Sequence, residues 1–275
     1  MTRDPDLRPE PGSDAAAIKA CCAAGYSSDL VSLLLGDSYH PGGLTLTRRL
    51  LHRLGLQPGD RMLDVASGIG TTSLLAATEY GARVDGIDLS DANVALAHGA
   101  AAARGLADRV TFKVGDAEAL PLLDAGWDVV VCECALCTFP DKPTAAKEMS
   151  RALRPGGRLG IADITADRNR MPAELTSLTA WVACIADARP GAEYESLLED
   201  AGLRVVYVEH HPSALDRMIR QIEARLGLLA ITARPQLEAV GVDLARTRPL
   251  VEAARAAVLD GTLGYVVIVA QKPAA

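Results

Sequence analysis

Residues 61–73 read "RMLDVASGIGTTS". A short apolar run with an embedded carboxylate, Asp64, passes through small residues (Ala66, Ser67, Gly68, Gly70) into the helical pattern "TTSLLAATEYG". Small residues let backbone approach a ligand closely, and a helix start offers it unpaired N–H groups. The stretch therefore predicts a strand, a ligand-facing loop and a helix, in that order.

The same unit recurs along the chain. "RVDGIDLS" (83–90), "VTFKVGD" (110–116), "WDVVVCEC" (127–134) and "RLGIADI" (158–164) are further strand-like runs. Between them lie the Ala-rich "ANVALAHGAAAARGLA" and "KPTAAKEMSRALR", the latter stopped by Pro155-Gly156-Gly157. Alternation of this kind, with near-continuous apolar strands, predicts a doubly wound α/β sheet that is mostly parallel and covered on both faces. "LRVVYVEH" (203–210) and "GYVVIVAQ" (264–271) bring the expected strands to seven. The implied organisation is a polar tail (1–15), an N-terminal helical lid (16–58), a core (59–211), a helical insertion (212–261) and a last strand with its tail (262–275). In the insertion, "DRMIRQIEARLGLLAI" and "RPLVEAARAAVLDG" carry helical apolar spacing and read as a lid or dimerisation element.

The 275 residues suffice for one large α/β domain, and a net charge of −7 argues against a nucleic-acid or anionic-membrane surface. No apolar run approaches a membrane span and the first dozen residues lack a signal-peptide pattern, so a cytoplasmic protein is expected, as monomer or homodimer. Six cysteines in that reducing setting read as thiols or ligands rather than as a disulfide frame. The one C-x₂-C unit, Cys134 to Cys137, has no second pair and does not make a zinc site.

Open parallel sheets bind ligands beyond the carboxyl ends of their strands. Three such ends are acidic: Asp64 before the small-residue loop, Asp88 with Leu89 after the second strand, and Asp116 with Ala117 after the third. Each could simply cap a turn, worth about 1 kcal/mol, but three in succession point to an adenosine ligand. Asp88 suits a ribose diol and Asp116 an adenine amino group. A nicotinamide dinucleotide would want Gly at position 73, where "GIGTTS" has Ser, and Asp64 would repel its pyrophosphate. S-adenosylmethionine carries an ammonium and a sulfonium instead, and suits Asp64.

Taken together, "MLDVASGIG", "GIDLS", "VGDAEALP", "DVVVCECALCTFPDKPTAAKEMSRALRPGGRLGIADI" and the terminal "GYVVIVAQKP" resemble the class I S-adenosylmethionine-dependent methyltransferases over about residues 45–210 and 262–273. One departure is Ala66, where the family usually has the first Gly of its loop. The resemblance implies methionine contacts near Asp64, Ala66 and Gly68, ribose at Asp88, adenine at Asp116 and Ala117, and backbone near Cys132 and Glu133 lining the sulfonium.

"CECALC" (132–137) then gains meaning. Strand alternation predicts that Cys132 and Cys134 share one face and Glu133 the other, with Cys134 at the ligand edge and Cys132 deep in the core. Cys184 lies in a segment expected to fold over the substrate, and Cys21-Cys22 in the lid. A soft trivalent arsenic brings its own lone pair and favours thiolates, whereas an oxygen or nitrogen acceptor needs a proton acceptor. The segments around Cys134 and Cys184 resemble the arsenite methyltransferases, where the matching cysteines are arsenic ligands. That family's third ligand sits in a Gly-Cys-Gly setting; here "LLGDSYHPGG" (34–43) has no cysteine, which leaves Cys22, Cys21 or Cys137 as candidates. The leading expectation is a methyltransferase acting on an arsenical held by Cys134, Cys184 and Cys22, with a thiol reductant as partner. The alternative is an O-, N- or C-methyltransferase of a small metabolite with His40 or His210 as base. A third reading is a non-catalytic metalloid binder. His52 and His98 are expected at the surface.

Overall fold

The computed structural model describes residues 15–26, 40–176, 185, 187–232, 235 and 244–274. Among the described residues two helices precede the sheet, α1 (Ala15–Tyr26) and α2 (Gly43–Leu54). Then come β1 (Arg61–Val65), α3 (Thr71–Glu79), β2 (Arg83–Asp88), α4 (Asp91–Ala103), β3 (Val110–Val114) and β4 (Trp127–Glu133). After a single 3-10 turn at Leu136–Thr138 follow α5 (Lys142–Ala152), β5 (Leu153–Ala166), α6 (Gly191–Asp200) and β6 (Arg204–His210). The helices α7 (Pro212–Thr232) and α8 (Leu244–Leu259) then precede β7 (Leu263–Gln271).

The seven strands form one sheet in the order β3-β2-β1-β4-β5-β7-β6. The first five pair in parallel, and β7 runs antiparallel between β5 and β6. Strand alternation sends Met62, Val84, Val129 and Val131 into one apolar layer and Leu63, Val65, Val130 and Cys132 into the other. Helices α2, α3, α4, α7 and α8 cover the first layer, while α5 and α6 cover the second. The expected doubly wound sheet is thus present, and its chain order reverses at β1, which pairs with both β2 and β4. A crevice opens there because the connections on either side leave in opposite directions.

Local chemistry fixes the elements around that crevice. Ser90 caps α4 by accepting from the Asn93 amide at 3.3 Å, and Asp141 caps α5 through the Thr144 amide at 3.0 Å. Helix α2 buries Leu46, Thr47, Leu50, Leu51 and Leu54 along one stripe. It seats against β5 at Gly160, where a Cβ would fall 2.7 Å from both Leu50 and Leu54. Only hydrogen fits at that position, so the register of α2 over the sheet is set by a missing side chain.

Several strand boundaries differ from the sequence reading: β2 ends at Asp88 and β3 at Val114, before the turn residues read with them. β5 starts at Leu153 rather than at 158, because Leu153 pairs with Trp127 before a register shift, and Gly156 (φ +77°) turns its amide onto the carbonyls of Lys272 and Pro273. β4 ends one residue early, at Glu133. Among the described residues no helix is long and apolar enough to cross a membrane.

Candidate functional site

A cleft opens at the carboxyl ends of β1, β2 and β4. Its lining includes Asp64, Ala66, Ser67, Gly68, Asp88, Leu89, Asp116, Ala117, Glu133 and Cys134 from the sheet side, and Lys19, Cys22 and His40 from the N-terminal side. The cleft is open to solvent, and counting its mouth it encloses about 1170 Å³.

The loop after β1 is built from left-handed turns at Ala66 (φ +59°), Gly68 (φ +54°) and Gly70 (φ +82°). The Ser67 amide reaches the Ile87 carbonyl at 3.0 Å, and the Gly68 amide reaches Asp88 Oδ2 at 2.8 Å. Nothing lies within 4 Å of a Cβ built on Gly68, whereas one on Gly70 would meet Phe112 Cζ at 2.6 Å. Gly68 thus faces the open cleft. Gly70, expected to bind cofactor, is not on the lining; its absent side chain makes room for Phe112. Ala66 adopts the positive φ that its family counterpart meets with glycine, at a cost of about 1 kcal/mol.

The three acidic strand ends are engaged differently. Asp64 is fully buried and accepts from Ser73 Oγ at 2.6 Å. Burial lifts its carboxyl to about 7, against the opposing Ser73 hydrogen bond, and the charges of Glu133 and Asp88 push the same way. Asp88 accepts from Gly68 N, from Ser90 N at 2.9 Å and from Asn93 Nδ2 at 3.2 Å, which orients it rigidly. Asp116 takes the Glu118 amide on Oδ1 at 2.9 Å and the Lys19 ammonium on Oδ2 at 2.7 Å.

The cysteine stretch departs from simple alternation. Cys134 has φ +54°, and its amide donates to the Ala162 carbonyl at 2.6 Å. The backbone therefore turns left-handed where the strand ends, and Cys134 joins the first apolar layer while Cys132 stays in the second. The expectation that the two share a face is corrected. Cys132 is also removed from the cleft: it is fully buried, and burial, followed by the charges of Asp163 and Asp64, pushes its thiol well above the ordinary value. Cys137 is buried in the 3-10 turn, held by its amide on Asp163 Oδ2 at 3.1 Å, and does not line the cleft. Cys22 does line it. Cys184 and the side chain of Cys21 lie outside the described residues. Among the described residues no three His, Cys, Asp or Glu side chains gather as a metal site.

Glu133 points into the cleft between two hydroxyls. Thr72 Oγ1 donates to Oε2 at 2.6 Å, and Thr47 Oγ1 lies 3.2 Å from each carboxylate oxygen. Thr47 is also 3.2 Å from His40 Nε2. A hydroxyl has one hydrogen, and an ionised carboxylate only accepts. Thr47 therefore donates to Glu133, and His40 lies between two oxygens: Thr47 Oγ1 at Nε2 and, 3.3 Å from Nδ1, the Pro41 carbonyl, which can only accept, so a neutral His40 donates from one nitrogen or the other. His210 is exposed on β6 and away from the cleft, so its expected role as base is corrected. His52 and His98 are exposed, as expected. Sequence reading missed Lys19, Thr47, Thr72 and Asn93. Lys19 had a signal in its spacing, three and four residues before Cys22 and Ala23 on one helix face. The two threonines had none, since their role exists only once α2 and α3 meet at Glu133.

Residues 56–202 match the family model described as a methyltransferase domain. The chain is 34% identical over 182 residues to methyltransferase GfsG of Streptomyces halstedii, a match spanning 65% of this chain and 64% of that protein. It is 31% identical over 274 residues to 27-O-demethylrifamycin SV methyltransferase of Amycolatopsis mediterranei, spanning 90% and 96%. An arsenite methyltransferase of Halobacterium salinarum shares 30% over 158 residues, 56% of this chain and 39% of that protein. The solved structure of the [4+2]-cyclase SpnF aligns with a TM-score of 0.73 at 26% identity, covering 93% of this chain and 97% of that one.

Proposed function

The chain belongs to the S-adenosylmethionine-dependent class I methyltransferases, and from that premise we propose that it methylates a trivalent arsenical held by thiolates. The observation that carries this is the meeting of two thiols, Cys22 from α1 and Cys134 from the end of β4, on one cleft with the loop 66–68 and Asp88. Cys184 is proposed as the third thiol.

Bound there, S-adenosylmethionine supplies an electrophilic methyl on sulfur. The residues present suit it: the open space over Gly68 admits close backbone contact, Asp88 is oriented toward a ribose diol, and Asp64 suits the ammonium. In this reading Asp116 and Ala117 meet the adenine, while Ser67, Leu89 and Glu133 complete the wall. Cys134, Cys22 and Cys184 fix the arsenic so that its lone pair points at the methyl carbon, and placement does most of the catalytic work. The arsenic lone pair becomes the As–C bond and the C–S electrons leave with sulfur. Arsenic is thereby oxidised by two electrons, and a dithiol or glutathione-class reductant restores the trivalent state.

Incubation of the purified chain with arsenite, glutathione and methyl-tritiated S-adenosylmethionine, with arsenic species separated chromatographically, tests this. Methylated arsenic is expected from the parent and a loss of at least about tenfold from Cys134→Ser. Absence of any methylated arsenic from a parent that binds S-adenosylhomocysteine would overturn it.

A second reading is favoured by the His40–Thr47–Glu133 chain: an organic hydroxyl acceptor whose proton passes to His40, which lines the cleft, with Glu133 compensating the imidazolium through Thr47. The 27-O-demethylrifamycin methyltransferase is a relative of that acceptor class. Under it, Cys134→Ser retains turnover on a hydroxylated metabolite, and Thr47→Val loses it.

A further inference from the structure

Lys19 is the lysine of the cleft lining, on α1 one turn before Cys22. Its ammonium sits 2.7 Å from Asp116 Oδ2 and 2.5 Å from Glu118 Oε2, with 19% of the side chain exposed. The burial that would lower its pKa is outweighed by hydrogen bonds to the two carboxylates, which keep it charged. Both partners are braced. Asp116 Oδ1 holds the Glu118 amide, and Glu118 Oε1 accepts the Asp141 amide at 2.8 Å, at the start of α5. One turn further along α1, Cys22 and Ala23 face the same cleft. Lys19 therefore joins the element that carries an acceptor-side thiol to the residue assigned to the adenine.

We propose that Lys19 is a positioning residue that latches α1 over the cleft and couples that latch to the cofactor, because the Glu118 amide holds Asp116 Oδ1 and an adenine amino group would compete with the ammonium for Oδ2. When the nucleoside base engages Asp116, Lys19 stays on Glu118, so α1 remains closed and Cys22 keeps its place. In the cofactor-free protein either carboxylate suffices; in the complex the Glu118 bond alone holds the helix. This rests on adenine lying at Asp116.

The test follows amide hydrogen exchange of residues 15–26 and the dissociation rate of S-adenosylhomocysteine in the full chain. Lys19→Met is expected to speed exchange of α1 and S-adenosylhomocysteine release by about fivefold, the effect of losing a partly buried ion pair of this class. Lys19→Arg should restore both. Glu118→Gln should leave α1 protection near the parent's without ligand and reduce it once S-adenosylhomocysteine is bound. A structural role alone would not produce that ligand dependence. Unchanged exchange in Lys19→Met, or a ligand-independent response in Glu118→Gln, overturns the latch. If S-adenosylhomocysteine binding is indifferent to Asp88→Ala and Asp116→Asn, the cofactor placement itself fails; if it is sensitive to both while Lys19→Met is silent, only the latch fails.

Discussion

Asp64→Asn should move stability and cofactor affinity in opposite directions. The carboxyl is buried to the point that its pKa rises from an ordinary 3.8 to about 7. An acid raised in the folded state keeps its proton there while the unfolded chain releases it. Folding therefore loses stability progressively as pH climbs from about 4 to about 7, and the loss is complete above that. At about 1.4 kcal/mol per pH unit across that window the ceiling is about 4 kcal/mol. Asparagine carries no charge to desolvate, and its carbonyl can still accept from Ser73 Oγ. The variant should unfold at the parent's urea concentration near pH 4 and be more stable than the parent at pH 8, by up to that ceiling. Cofactor binding works the other way. An ammonium beside Asp64 favours its ionised form, so below pH 7 binding expels a proton and affinity rises about tenfold per pH unit, flattening above 7. Calorimetry with S-adenosylhomocysteine at pH 6, in buffers of different ionisation heat, should report close to one proton released by the parent and none by the variant. Equal proton release in both proteins, or a variant less stable at pH 8, would refute the reasoning.

Cys134→Gly removes the thiol while relieving a left-handed turn at φ +54°, so it should raise the urea midpoint slightly, by about 1 kcal/mol at most, yet abolish arsenic methylation. Gly70→Ala places a Cβ 2.6 Å from Phe112 Cζ at a φ of +82° and should cost about 2–3 kcal/mol in urea unfolding. Lys142→Met leaves Asp187, which it meets at 2.5 Å, buried with Arg189 at 3.0 Å and Arg168 at 3.9 Å as its remaining cations; about 2–3 kcal/mol of stability should be lost, at the low end for a broken buried pair because the two arginines compensate. Thr47→Val should release His40 and leave Glu133 on the Thr72 hydroxyl alone, visible as a changed imidazole signal in nitrogen NMR, while Thr47→Ser should retain the parent's signal.

Near-continuous apolar runs and period-3.6 patterns carried the architecture well because the central strands β1, β4 and β5 are buried on both faces and the helices on one. Asp64, Asp88 and Asp116 were legible for a related reason: the sheet's geometry makes strand ends the ligand edge before any contact is known. Alternation failed at Cys134. It was extended one residue beyond Glu133, and a non-glycine residue in a left-handed turn carries no mark in its own letter. The consequence is chemical, since that turn places Cys134 on the cleft and leaves Cys132 as inert core. Gly70 and Gly160 were likewise unreadable in role, because what each makes room for, Phe112 or Leu50 and Leu54, lies far away in sequence.

The acceptor side is less legible for a physical reason that also bears on how such a chain changes specificity. The proposed cofactor contacts lie at the ends of neighbouring strands of one sheet, so their spacing is constrained. The acceptor side, as far as it is described, draws on α1 and His40, which meet the sheet only in tertiary structure and leave no fixed interval to read. Lys19 and Thr72 line the cleft and Thr47 lies buried behind it, and each acts through a partner on the sheet side: Lys19 on Asp116 and Glu118, the two threonines on Glu133. On the proposed cofactor placement, a change of acceptor can then proceed by altering Cys22 or His40 while Asp64, Asp88 and the loop at Gly68 stay as they are. The thiol reading and the hydroxyl reading are accordingly two settings of one wall, and they separate on residue 134: sulfur there is indispensable to the first and incidental to the second.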